Sequence, residues 1–325
     1  MRGWWQDLTD LVLPAECEGC GRPRTVLCAE CRTALSGAAP GRVRPVTEPP
    51  GLPVVHAAAR YADEVRAVLL AHKERGALAL AAPLGAALAG AVRAGLRVGL
   101  PEGLQPGGEA GRGLNGAWQG AATGAAGGRS AGSAGPVLLV PVPSARRAVR
   151  ARGHDPVRRI ALAAAGELRR AGTPARVVDV LRQQRAVVDQ SVLNSRQRLD
   201  NLAGALAVAP GGAGLLRGGP VVLVDDLMTT GASLAEAARA VGAATVQERG
   251  PYDRAARSGA YDGVTTAVCG TAAREGTGER RAGVMADAGR GTHGPPGMAG
   301  AVHAGEVICA AVVAASPGSF EINRN

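Results

Sequence analysis

A chain of 325 residues with 46% hydrophobic residues is long enough for an α/β domain with attachments. Aromatics are only 2%, so the core must be built from Ala, Val and Leu, and the composition counts against stacking on bases as the main way of holding a partner. The net charge is +10 and Lys73 is the single lysine; a bias toward Ala, Gly and Arg explains that charge as readily as attraction to phosphate ligands or nucleic acid does.

No uninterrupted apolar run of membrane-spanning length occurs. The first residues, MRGWWQDLTDLVLP, carry Asp7 and Asp10 and no clean apolar signal core, so a cytoplasmic protein is expected. Within residues 1–13, Trp4, Trp5, Leu8, Leu11 and Val12 recur at helical spacing and predict a short amphipathic helix packed on its own domain.

Four cysteines follow as two pairs, Cys17-x2-Cys20 and Cys28-x2-Cys31. Each pair lets one turn present two thiolates to one ion, and Gly19 and Gly21 permit the tight backbone. Four thiolates satisfy a tetrahedral Zn²⁺ and leave no open position, which predicts a structural zinc ribbon within residues 1–35. A redox pair or an iron–sulfur site would use the same residues. The other two cysteines, Cys269 and Cys309, are scattered.

Residues 36–53 are Pro/Gly-rich and predict a linker. Leu52 to Tyr61 suits one or two strands. Asp63 opens a helix with Val65, Val68, Leu69 and Leu70 apolar and His72, Lys73, Glu74 and Arg75 at its end. A second helix runs from Ala77 to about Leu96. Residues 97–135 are Gly-dominated and predict a flexible insertion.

Val137 to Ser144 reads as a strand running into a proline-stiffened loop, Pro141-Val142-Pro143-Ser144. Arg146, Arg147, Arg150 and Arg152 come next. A stiff loop beside several guanidinium groups suits a polyanion such as pyrophosphate, although a solvated basic face has the same composition. A helix over about Val157–Ala171 is expected to turn Ile160, Leu162, Ala164 and Leu168 inward, and Arg176–Leu181 predicts a strand. The polar stretch from Arg185 suggests a helix over Ser191–Arg198, Gly204–Val208 a short strand, and PGGAGLLRGGP a turn.

The segment Gly218–Val241 organises the rest. Val221 to Val224 form an apolar run suited to a central parallel strand. Asp225 and Asp226 follow, then Thr229, Thr230, Gly231, Ala232 and Ser233 lead into an Ala-rich helix. A helix start offers N–H groups and a positive dipole to a phosphate, and two carboxylates just upstream suit sugar hydroxyls or a divalent cation beside it. Residues 245–305 lose periodicity, and Glu306–Ala315 returns as a buried strand, which predicts an insertion between a helix and its strand.

Four apolar residues, two acids, two more residues and Thr-Thr-Gly-x-Ser resemble the phosphoribosyl-pyrophosphate (PRPP) motif of type I phosphoribosyltransferases. With four cysteines ahead of it, the chain resembles the ComF family. Lys73 in LLAHK, Val140–Pro143, Arg152-Gly153, and Arg185, Gln190, Arg198 and Asn201 agree with that family's pattern. His154, Asp155 and Pro156 depart from it, as does Leu206 where an aromatic is usual.

The resemblance implies an α/β fold of type I phosphoribosyltransferase kind over residues 52–320, with a mostly parallel sheet and flanking helices. It implies PRPP with Mg²⁺ as ligand. Asp225 and Asp226 would hold the ribose hydroxyls and Thr229, Thr230, Gly231, Ala232 and Ser233 the 5′-phosphate. Lys73, Pro141, Val142, Pro143, Ser144 and Arg152 would face the pyrophosphate. Nothing selects an acceptor base. The alternative is a non-catalytic accessory of DNA uptake that contacts single-stranded DNA and DNA-uptake proteins. Lys73 also stands out without any family: where arginine is used almost everywhere, one retained lysine marks a place for a compact ammonium.

Overall fold

A computed structural model describes residues 16–100, 135–185, 201–247 and 305–323. The expected helices at 1–13 and Ser191–Arg198 lie outside these residues. The strands are β1 Gly41–Val43, β2 Val55–Arg60, β3 Val137–Pro141, β4 Ala175–Val177, β5 Leu181–Gln183, β6 Leu206–Val208, β7 Val221–Met228 and β8 Val307–Ala315. The helices are α1 Ala29–Ser36, α2 Asp63–Glu74, α3 Ala81–Gly99, α4 Arg146–Arg152, α5 Pro156–Arg170, α6 Gly212–Leu216 and α7 Ala232–Gln247. Short 3₁₀ turns occupy Leu78–Leu80 and Pro317–Asn323.

Six strands form one sheet in the order β1-β2-β8-β7-β3-β4. The pairs β2–β8, β8–β7, β7–β3 and β3–β4 are parallel, and β1 is antiparallel on the edge. The fold is therefore mixed α/β with a mostly parallel sheet, as expected. β7 and β8 lie at its centre, and their Val- and Ala-rich runs are covered on both faces. The long segment before β8 leaves the sheet whole: β8 pairs with β7 from Val221↔Val307 to Met228↔Ala315.

One face is covered by α1, α2, α3 and α5, through Leu35, Val68, Leu84, Leu88, Ile160 and Leu168. The other is covered by α7, the β5–β6 hairpin, Leu52 and Phe320. A core poor in aromatics has to bring backbones close together. A Cβ on Gly85 of α3 would stand 2.4 Å from the Ala163 Cβ of α5, so the two helices touch without intervening side chains. Leu78–Gly99 is long and apolar enough to cross a membrane by composition. Here Leu84, Leu88, Val92 and Leu96 are buried within the domain core.

Several expectations need correcting. The 36–53 linker contains β1, because Val43 is buried and pairs with Val55. Of the flexible insertion expected over 97–135, residues 97–99 instead complete α3 and Leu100 is buried, while 101–134 lie outside the described residues. The Arg176–Leu181 strand is two strands in two sheets: β4 extends the main sheet and β5 pairs with β6. Leu162 is 47% exposed; Ile160, Ala161, Ala164, Ala165 and Leu168 form the inward stripe of α5, and Leu162 lies off it. PGGAGLLRGGP contains α6, which buries Leu216. α7 continues to Gln247, past the expected start of the second insertion.

The Asp155–Pro156 departure has a local cause. The Asp155 carboxylate accepts the Arg158 N–H at 3.1 Å and Pro156 occupies the first turn, so the pair starts α5.

Candidate functional site

Cys17, Cys20, Cys28 and Cys31 place their Sγ atoms within 4.8 Å of one another. Four ligands around Zn²⁺ at about 2.3 Å require sulfurs about 3.8 Å apart, and Cys20 and Cys28 stand at 3.6 Å. The first knuckle closes through Gly21 N–H to Cys17 O at 2.7 Å, with Gly21 in the left-handed region at φ 77°. Burial works to raise the Cys17 thiol, but N–H groups of Cys28, Cys20 and Gly19 outweigh it and lower it to about 6. The set fits a structural metal such as zinc. It is not a separate domain, because Cys17, Leu27, Cys28, Cys31 and Leu35 share one core with α2 and α3.

The carboxylates lie within the last half of β7 rather than after it. Successive strand side chains leave opposite faces, and the two acids accordingly differ. Asp226 is 5% exposed and its Oδ2 accepts from Lys73 Nζ at 2.9 Å. Asp225 is half-buried, and its Oδ1 accepts the Asp226 N–H at 2.8 Å. Burial opposes the charge on Lys73, but Asp226, with Asp225 behind it, prevails and holds the amine above its ordinary value. Burial, reinforced by Asp226, pushes the Asp225 carboxyl well above the usual range.

A raised carboxyl means the unfolded chain loses this proton at lower pH than the folded protein does. Stability therefore falls as pH climbs from the ordinary Asp value, about 3.9, toward the folded value. Asp225→Asn removes that penalty. Its melting temperature should exceed wild type by about 2–4 °C at pH 7, the response of a domain this size to about 1 kcal/mol. The gap should close on approach to pH 4, as thermal melts across that range will test.

Beyond β7, Thr229 is exposed, Gly231 and Ala232 are buried, and α7 begins at Ala232. Ala235 N–H already bonds Gly231 O at 2.9 Å, so the N–H groups of 232–234 have no intrahelical acceptor, and that of Ala232 reaches Thr230 Oγ1 at 3.5 Å. Gly231 has φ 75°, and a Cβ there would meet Leu52 Cδ2 at 3.0 Å. Leu52 and Pro49 thus back the turn, which the sequence did not reveal. Gly231→Ala should cost about 1–3 kcal/mol from the left-handed backbone alone, measurable by urea denaturation.

The Pro141–Ser144 segment leaves β3 beside Val224, but it offers less than expected. Pro141 belongs to the strand, Pro141 and Pro143 have no N–H, and Val142 N–H is engaged with Val224 O at 2.9 Å. Ser144 is the member with an amide to offer. Arg152 is also turned elsewhere: its Nε and Nη2 donate to Glu74 at 3.2 and 2.8 Å. It still lies close enough to act electrostatically on Lys73. Lys73, Asp225 and Asp226 are thus brought together, whereas Arg152 reaches them through the end of α2. The side chain of Glu74 had no signal in the sequence beyond its place in a charged helix end.

The β5–β6 hairpin is fastened by Glu236 of α7, which is 6% exposed and accepts the Leu206 N–H at 3.0 Å. Burial opposes its charge, yet Arg239 and backbone donors hold the carboxyl below its ordinary value. Together these elements define a class: an α/β protein whose central parallel strand ends in adjacent carboxylates, joined to a four-cysteine segment able to hold a metal. No protein-family model matches the chain, and no curated protein matches it either.

Proposed function

We propose that this is a ComF-like protein of the type I phosphoribosyltransferase fold that binds PRPP with Mg²⁺. The observation that carries the reading is the 2.9 Å contact of the chain's single lysine with Asp226 of the motif, across 153 residues of sequence. A parallel strand that ends in acids, a glycine turn and a helix start accommodates a polyol next to a phosphate. Asp225 accepts from the ribose hydroxyls. The 232–234 amides, with the hydroxyls of Thr229, Thr230 and Ser233, hold the 5′-phosphate. Lys73 neutralises charge near the leaving pyrophosphate, and Ser144 contributes its N–H there. Bound Mg²⁺ supplies charge neutralisation of the pyrophosphate oxygens.

In transfer, the C1–O bond to pyrophosphate breaks and a C1–N bond to the acceptor forms. The acceptor gives up a proton and the bonding pair leaves on pyrophosphate. In this reading Asp225 faces the ribose, where positive charge develops, and Asp226 acts by holding Lys73.

Calorimetric titration with PRPP and Mg²⁺ tests this. Binding in wild type, lost in the double substitution Asp225→Asn, Asp226→Asn, is the expected result. A folded, metal-loaded protein that ignores PRPP overturns it and moves weight to single-stranded DNA, whose binding would weaken steeply with salt.

A further inference from the structure

Four consecutive residues at the end of α2 each reach a different element. The His72 carbonyl lies 3.4 Å from His154 Nε2, Lys73 bonds Asp226, Glu74 receives Arg152, and Arg75 donates to Glu18 at 2.5 Å. Glu18 sits inside the first cysteine pair. Its own N–H is fixed to Val26 O at 3.0 Å, and the Cys17 N–H before it to Arg22 O at 2.7 Å, so the metal loop sets its position.

The contact is more than one exposed ion pair. A Cβ on Gly19 would stand 2.7 Å from Cys31 Sγ and 3.4 Å from Glu64 Cβ, so the knuckle lies directly on the first turn of α2. Val65, Val68 and Leu69 of α2 belong to the same buried cluster as Cys17, Cys28 and Cys31. α2 is therefore gripped at both ends by the four-cysteine segment, at Glu64 and at Arg75. Val65, Val68 and Leu69 keep α2 on the core, so the grip acts on where its charged end lies.

We infer that the four-cysteine segment is the positioning element for the Lys73–Asp226 pair, acting through Glu18 and Arg75, and that metal loading decides whether Lys73 is held against the carboxylate. In the metal-loaded protein the knuckle is rigid and α2 presents Lys73 to β7. Without metal, four thiols lose their common ligand, the loop carrying Glu18 loosens, and Lys73 leaves Asp226. The inference stands apart from PRPP, which takes no part in its test.

The single lysine makes the test direct, because the only competing amine is the α-amino group of the chain, on a different peptide. The full-length protein is acetylated with a succinimidyl ester, and modification of Lys73 is followed by peptide mass spectrometry. Asp226→Asn, which frees the amine, is expected to raise the rate at least tenfold. Chelation of the metal should reproduce most of that rise, and returning Zn²⁺ should reverse it. Arg75→Ala, with its metal content intact, should give a smaller rise of about two- to threefold, in line with the modest strength of an exposed pair. Hydrogen exchange of β7 and β8 amides should stay protected throughout.

A Lys73 rate indifferent to metal overturns the inference. So does a rise that appears only together with lost protection in β7 and β8, since that is general unfolding. An Arg75→Ala rate equal to wild type removes Glu18 and Arg75 from the positioning role.

Discussion

Replacing Cys31 by Ser is expected to abolish metal binding and to destabilise the α1–α2 face strongly. Cys31 is 2% exposed and lies in the first turn of α1, packed against Gly19. Free energies of structural zinc binding are on the order of 10–16 kcal/mol in isolated fingers, against a total stability of about 5–15 kcal/mol for a typical domain. Even a fraction of that loss is severe here, because Leu27 and Leu35 hold their places in the shared core through the same loop. Metal analysis should find stoichiometric zinc in wild type and close to none in the variant. Hydrogen exchange should show α1 and α2 opening first. A variant with full metal content and an unchanged melt would show that the cysteines do not form one site.

The second large effect is expected from Lys73→Met. It leaves the Asp226 carboxylate, whose side chain is 6% exposed, without its cation. Removing one member of a fully buried pair costs about 3–5 kcal/mol. The Lys73 side chain is 33% exposed, so solvent screens the pair and the cost falls to about 2 kcal/mol. Asp226→Asn should cost less, about 1 kcal/mol, because a released lysine can extend into water. The double variant should be less unstable than the sum, with a coupling of about 1–2 kcal/mol measured in a denaturant cycle. Strict additivity would mean that the 2.9 Å contact contributes nothing. If the proposed reading holds, both single variants should also bind PRPP more weakly than wild type.

These two predictions draw on features of different legibility. The four-cysteine cluster could be read directly, because x2 spacing lets one turn carry two thiols and nothing from far away is needed to bring the pairs together. The β7–turn–α7 unit was legible for a similar reason: a Val-rich run, a Gly where the backbone turns left-handed, and an Ala-rich helix are local preferences that agree with each other. The glycine carries φ 75°. Lys73 stood out by its chemistry, as the one ammonium in an arginine-rich chain.

Other features were hidden. β1 is three residues long, too short for a period to register. Arg176–Leu181 reads as a single strand because local sequence cannot say that the chain leaves one sheet for another. Leu162 was placed inward from apolarity alone, whereas the neighbours of α5 decide which stripe is covered. Arg152 was expected at the ligand, yet Glu74, 78 residues away, takes its guanidinium.

Residue type and near spacing alone mark the four-cysteine cluster, the central strand, the acids at its end and the unusual lysine. Which acid meets that lysine, which arginine is already engaged, and that the four-cysteine segment and the carboxylates share one helix emerge only from the folded chain. Those are matters of which long, flexible charged side chains come within 3 Å of each other, and chain neighbours do not set that distance.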